Sequence, residues 1–244
     1  MGDLIIKVDN LTKVFSAGNV AVNSISFEVL RHQVFGILGP NGSGKTTILR
    51  MLATVLEPSN GSIVIDGLDY IRDQQTIRSS IGYVPQRDAL YPNLTAWENI
   101  DIFFSAYPYN GDRKKRIEKI LKKVDLWDSR NIFVRRLSGG MTKRLSIAIA
   151  IVHDPRVIFF DEVTMGLDPV ARSNIWGLVN KLKKHSAIVM TTHYMDEAEQ
   201  LCDNLIIISG GSIIANGKPE KITHNFKAKN LHEVIVMVVK GGNV

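Results

Sequence analysis

Three short segments of this sequence combine residue types that handle phosphate. Gly39-Pro40-Asn41-Gly42-Ser43-Gly44-Lys45-Thr46 fits the G-x-x-x-x-G-K-[ST] pattern, in which glycines let the backbone turn with its N–H groups pointing inward around phosphate oxygens. Lys45 would reach the β- and γ-phosphates of a nucleotide, the Thr46 hydroxyl would hold Mg²⁺, and Thr47 continues into the helix whose N-terminus completes the cradle. Further on, Val157-Ile158-Phe159-Phe160 is an apolar run ending in Asp161 and Glu162, as expected of a buried strand delivering acids to the C-terminal edge of a sheet. Asp161 can hold Mg²⁺ through its water shell. Glu162, expected on the opposite side of the strand, is placed to orient or deprotonate an attacking water. A lone acid pair at a strand end is commonly just solvated, and the upstream phosphate loop is what gives this pair a role. Between the two lies Leu137-Ser138-Gly139-Gly140, where the Ser138 hydroxyl and the Gly139 and Gly140 amides would form a second anion-binding helix N-terminus.

These residues need a scaffold, and hydrophobic periodicity indicates one. Val34 to Leu38 is a short apolar run suited to a buried parallel strand, and Thr47 to Leu56 carries Ile48, Leu49, Leu52, Val55 and Leu56 at helical spacing. Strands expected at 34–38, 81–84, 157–160, 187–190 and 205–208 alternate with helices, which makes a mainly parallel core sheet. Segments 4–8, 25–29 and 62–66 alternate in part and are separated by turn residues, which predicts an antiparallel β subdomain near the N-terminus. Helical pattern dominates between Gln86 and Pro155, so a helical subdomain is inserted at about 87–155, with the Ser-Gly-Gly segment near its end. Another amphipathic helix, Arg172 to Lys184, shows Ile175, Leu178, Val179 and Leu182. The expected fold is therefore α/β, with 1–217 as one domain and 218–244 as a short extension for which no role is read.

With the Leu-Ser-Gly-Gly segment added to the phosphate loop and the acid pair, the chain resembles the ATP-binding cassette (ABC) ATPases, a branch of the P-loop NTPases. The resemblance covers about residues 3 to 217, with six motifs in the family's order. It implies that Gln86 is the Q-loop glutamine, reaching Mg²⁺ or the lytic water at the joint between subdomains. His193 matches the switch histidine that senses the γ-phosphate. Gly166-Leu167-Asp168 matches the D-loop, and Phe15 stands where an aromatic ring stacks on adenine. Taken alone, a single Gln, Phe or His is more often structural; position within the motif set reverses that. The resemblance further implies that Ser138, Gly139 and Gly140 contact ATP held by a second protomer, so that two ATP molecules join a head-to-tail pair. Three positions depart from the usual pattern: Met141 replaces a glutamine, Val163 a proline and Met165 a small polar residue. They touch fine tuning of the dimer interface and leave Lys45, Asp161, Glu162 and His193 in place.

Composition narrows the partners. With 244 residues, 45% hydrophobic and 22% charged, the chain can bury a sizeable core. Its longest apolar stretch near a helix, Ile147 to Val152, is far short of the roughly 20 residues that cross a bilayer. Met1 to Ile6 has neither a signal peptide's regions nor a myristoylation pattern. A single cysteine, Cys202, allows no intrachain disulfide and is compatible with a reducing cytosol. Part of the +6 net charge lies on 113–124, where Ile117, Ile120, Leu121 and Val124 mark an amphipathic helix with a basic outer face. That face is either solvated or attracted to an anionic membrane surface, and no aromatic platform accompanies it for a specific nucleic-acid site. One phosphate loop and one glycine-pair motif, with too little chain between them for a long coiled coil, favour transport over other roles of the resembled family. The expectation is an ATP-hydrolysing, Mg²⁺-dependent subunit of an exporter, most like the drug and polysaccharide exporters of bacteria and archaea. It would lie on the cytoplasmic face of the cell membrane beside a transmembrane permease and a second copy of itself or a related ATPase subunit. The alternative is a soluble ABC-type ATPase acting in nucleic-acid transactions or protein assembly.

Overall fold

The computed structural model describes residues 3–239. Met1, Gly2 and the last five residues of the 218–244 extension lie outside the described residues.

Two sheets form. Strands β1 (Leu4–Val14), β2 (Val20–Leu30), β4 (Asn60–Ile65) and β5 (Leu68–Asp69) pair antiparallel in the order β2-β1-β4-β5. The second sheet runs β10-β9-β3-β8-β7-β6, from β3 (Val34–Leu38), β6 (Ile81–Val84), β7 (Val157–Asp161), β8 (Ala187–Thr192), β9 (Asn204–Ser209) and β10 (Ser212–Gly217). Only the β9–β10 edge pair is antiparallel, and the other neighbours are parallel. Strands β3, β7 and β8 are buried at every position, because both faces of this sheet are covered. Alternation along the strands divides two cores. Phe35, Ile37, Val157, Phe159, Val189, Ile206 and Ile208 pack toward the antiparallel sheet and helices α1 (Lys45–Leu52) and α2 (Gln74–Ser80). Val34, Leu38, Ile158, Phe160, Ile188, Met190, Leu205 and Ile207 pack toward the remaining helices.

Those helices are α3 (Ala96–Phe104), α4 (Arg113–Lys123), α5 (Gly139–Ile151), α6 (Pro169–Leu182), α7 (Met195–Leu201), α8 (Pro219–Asn225) and α9 (Leu231–Val239). Helix α3 begins in a capping box: the Thr95 hydroxyl accepts from Glu98 N and Glu98 Oε2 accepts from Thr95 N at 2.7 Å, satisfying two donors that the first turn leaves free. Helix α6 begins three residues earlier than the periodicity suggests, because Asp168 caps it and Pro169 suits its first turn. In α4 the basic face is not wholly outward. Arg116 is buried and donates to Val152 O (2.7 Å) and Ile151 O (3.2 Å), closing the C-terminal end of α5, where a cation is favoured by the exposed carbonyls. Helices α3, α4 and α5 pack on one another. Apolar α9, which no motif announced, buries Leu231, Val234 and Ile235 against the same core.

Parallel order brings the C-terminal ends of β3, β7 and β8 to one edge, and the phosphate loop, the acid pair and His193 follow those three ends.

Candidate functional site

A cavity of about 420 Å³ opens at that edge, lined by Ala21, Asn41, Gly42, Gly44, Lys45, Thr46, Thr47, Gln86, Glu162, Met165 and His193. Its floor is the loop from Gly39 to Gly44. At Gly39 a Cβ would fall 2.2 Å from Ile208 O, and at Gly44, whose φ is +106°, it would fall 2.5 Å from Ala21 O. Only glycine allows the chain to close this tightly there. Ser43 Oγ is buried and has no hydrogen-bond partner among the described residues, within a loop suited to anions.

Lys45 is buried at the start of α1, and its Nζ donates to Gly39 O (2.9 Å) and Pro40 O (3.0 Å). Burial lowers the pKa of the Lys45 ammonium, while the adjacent Glu162 pulls it up. Thr46 Oγ1 donates to Asp161 Oδ1 at 2.9 Å, and the same oxygen accepts from Thr191 Oγ1 at 2.8 Å. Asp161 therefore has a fixed orientation, set by its parallel register partner on β8.

Glu162 departs from simple alternation. Its φ is +46°, left-handed and costly for a non-glycine residue, and its N–H is held by Thr191 Oγ1 at 3.0 Å. This kink brings its carboxylate back to the phosphate loop rather than to the opposite side of the strand. Glu162 Oε1 lies 3.5 Å from Lys45 Nζ; Oε2 accepts from Gln86 Nε2 at 3.2 Å and lies 3.4 Å from His193 Nδ1. Lys45, Gln86 and His193, singled out from separate parts of the sequence, converge on one carboxylate.

The family follows from comparison with known proteins. The ABC transporter family matches residues 22–165, and the chain is 43% identical over 223 residues to the Nod factor export ATP-binding protein I of Ralstonia nicotianae, covering 90% of this chain and 69% of that one. The chain belongs to the ABC transporter family. As an ABC transporter cassette it is an ATP-binding ATPase. It is also 39% identical over 225 residues to ABC transporter A family member 6 of Arabidopsis thaliana, covering 89% of this chain but only 24% of that relative, so the chain spans about a quarter of that relative's length. A solved dimeric ATP-binding cassette in a post-hydrolysis state, bound to ADP and Pi, superposes with a TM-score of 0.79 at 29% identity, covering 88% of this chain and 98% of that one.

In this ABC cassette several motif residues stand outside the cavity. Ser138 caps α5, its hydroxyl accepting from Met141 N at 3.3 Å. Ser138 and Gly139 are exposed, and a Cβ on Gly140 would meet Ala171 Cβ at 3.1 Å. Asp168 Oδ1 accepts from Val170 N and Ala171 N, both at 2.9 Å. Ser138, Gly139 and Asp168 thus share a surface with Val170, 71% exposed. Met141 packs against the core, an apolar environment suited to methionine.

Phe15 is 40% exposed, with Lys13 Nζ 5.4 Å from its ring centroid, and it does not line the cavity, although β2 enters the cavity wall at Ala21. An exposed ring suits base stacking. Phe15→Ala is expected to weaken ATP and GTP binding alike by roughly 1–3 kcal/mol, since stacking reads a π-face. Calorimetric titration of the folded variant checks this, and unchanged affinities would remove Phe15 from the base site.

Sequence reasoning missed Thr191, although the Thr-Thr pair ending β8 just before His193 was a usable signal. It also missed the link behind Gln86. Buried Lys143 on α5 donates to Gln86 O (3.3 Å) and Asp88 Oδ1 (2.8 Å), and Ser146 donates to the same Asp88 oxygen at 2.7 Å. The Gln86 segment is thereby fastened to the helix that Ser138 begins.

Proposed function

We propose that this ATPase powers export by a separate transmembrane permease, on the cytoplasmic face of the cell membrane, and that it does so as a head-to-tail pair with a second copy of itself or a related ATPase subunit. The observation that carries the catalytic part is the convergence of Lys45, Gln86 and His193 on Glu162 at the mouth of the phosphate loop. Lys45 and the loop amides from Asn41 to Thr47 hold the β- and γ-phosphates. Glu162, its carboxylate held by its neighbours, accepts a proton from the attacking water. Gln86 orients that water, and His193 hydrogen-bonds the γ-phosphate. The oxygens of Thr46, Asp161 and Gln86 fit a hard cation, since Mg²⁺ is bound by one or two protein carboxylates together with water and phosphate oxygens. Bound there, Mg²⁺ would neutralise charge developing between the β- and γ-phosphates.

The exposed surface with Ser138, Gly139, Gly140 and Asp168 supports the pairing. Its helix N-terminus suits a phosphate, and its apolar, 71% exposed Val170 suits burial against a partner. A groove of about 570 Å³ between β6 and helices α3 and α5, lined by Val55, Tyr83, Pro85, Leu90, Phe103 and Ile149 among others, supports a permease contact. It starts next to Gln86, so pressure there reaches the site through a one-residue step. No helix among the described residues is long and apolar enough to cross a membrane, so the path across the membrane in this reading is supplied from outside them. The Ralstonia relative, named for export, supports the direction. The test is the ATPase rate of the purified chain with the membrane subunit that co-purifies with it and, separately, with DNA and RNA. Stimulation by the membrane subunit is expected; stimulation by nucleic acid alone would overturn the transport reading in favour of a soluble ATPase.

A further inference from the structure

Glu197 lies in the first turn of α7 and is fully buried. One of its oxygens, Oε1, accepts from Thr164 Oγ1 at 2.7 Å and from Trp176 Nε1 at 2.9 Å, and Oε2 has no hydrogen-bond partner among the described residues. A buried carboxylate costs free energy even when paired, and an apolar side chain would fill the same space more cheaply. What the carboxylate adds is a link between three elements. Thr164 is two residues past Glu162 in the loop leaving β7, Trp176 belongs to α6, and Glu197 is four residues past His193 in the helix leaving β8.

A second strut runs beside the first. Arg172, also on α6, donates to Asp196 Oδ2 at 2.9 Å. Its guanidinium lies 5.2 Å from the centroid of the Trp176 ring and 4.4 Å from that of Tyr194, and the Tyr194 ring lies 4.2 Å from the His193 ring. His193 is therefore backed by Tyr194, which is backed by Arg172, which is anchored on the same helix that Glu197 grips. The loop carrying Glu162 is itself stiffened by hydrogen bonds from Met165 N to Glu162 O and from Leu167 N to Thr164 O.

We propose that Glu197 is a positioning residue: its buried carboxylate clasps the loop after Glu162 to the helix after His193, so that the base and the phosphate-sensing histidine hold one separation and move as a unit. The proposal rests on the catalytic reading of Glu162 and His193 given above. Neither Glu197 nor Thr164 lines the cavity, so both act through the residues they hold. Small misplacements of catalytic groups cost rate far more than they cost binding.

Thr164→Val keeps the shape and removes only the hydroxyl donor, Thr164→Ser restores it, and Glu197→Gln keeps an oxygen that can accept from both partners. In the purified chain, Thr164→Val is expected to lower kcat for ATP about ten- to a hundredfold while leaving KM within about twofold. Thr164→Ser and Glu197→Gln should both retain most of the wild-type kcat. A Thr164→Val protein with wild-type kcat, or one whose only change is a lower melting temperature, would overturn the clasp. So would a Glu197→Gln loss as deep as that of Thr164→Val, since the geometry asks for an acceptor and not for charge. Glu162→Gln run alongside separates the two readings: full turnover in Glu162→Gln overturns the catalytic assignment and the clasp with it, whereas full turnover in Thr164→Val beside an inactive Glu162→Gln overturns the clasp alone.

Discussion

Glu162→Gln is expected to bind ATP and to accumulate as a dimer while turnover falls by roughly 10²–10⁴, the range associated with loss of a positioned general base. The substitution keeps the side chain's length and hydrogen-bonding reach but removes its ability to take a proton. Its neighbours sharpen the expectation. Glu162 is the common partner of Lys45, Gln86 and His193, and an amide can still occupy that position without emptying the phosphate loop. Size-exclusion chromatography with ATP and Mg²⁺ should therefore show the variant as a dimer and the wild type mostly as a monomer, with phosphate release measured in parallel. Lys45→Ala is the contrast: it removes the cation facing the phosphates, so loss of nucleotide binding should precede any effect on chemistry. Wild-type turnover in Glu162→Gln would remove this carboxylate from the mechanism.

Ser138→Arg should abolish ATP-driven pairing and hydrolysis while leaving nucleotide binding by the monomer intact. Ser138 lies at the start of α5 on the exposed surface shared with Asp168, and it does not line the cavity that contains Lys45 and Glu162. A bulky side chain there meets nothing in its own phosphate loop. It would stand where a partner's γ-phosphate docks. Mixing Ser138→Arg with Lys45→Ala provides the decisive measurement, because a head-to-tail pair can assemble one complete site from the intact loop of the first chain and the intact Ser138 of the second. Partial recovery of ATPase activity on mixing is expected. A Ser138→Arg protein that hydrolyses ATP normally as a monomer would make the glycine-pair motif a structural helix start, and the shared-site mechanism would fall.

Much of this molecule is legible along the chain because its chemistry is local. The phosphate loop works through backbone amides and a helix N-terminus, so Gly39 to Thr46 carries its own instructions. Strands buried on both faces read as short apolar runs, which places β3, β6, β7, β8 and β9 closely, and Ser138 announces the helix it begins.

What the tertiary structure alone decides concerns distances across the sheet. Asp161 is oriented by Thr191 through a parallel register that no sequence spacing states. Alternation sends Glu162 to the wrong side, and only the left-handed turn at that residue returns it to Lys45. The basic helix α4 looks uniformly solvated outside its apolar stripe, yet Arg116 is drawn inside because the carbonyls ending α5 need donors. Lys143 behind Gln86 and Glu197 behind His193 sit in helices whose periodicity marks them as nothing in particular. Local sequence determines which backbone and side-chain groups are offered; which of them meet is decided by strand order and helix packing, since partners far apart in the chain are brought within hydrogen-bonding reach only when the whole core closes.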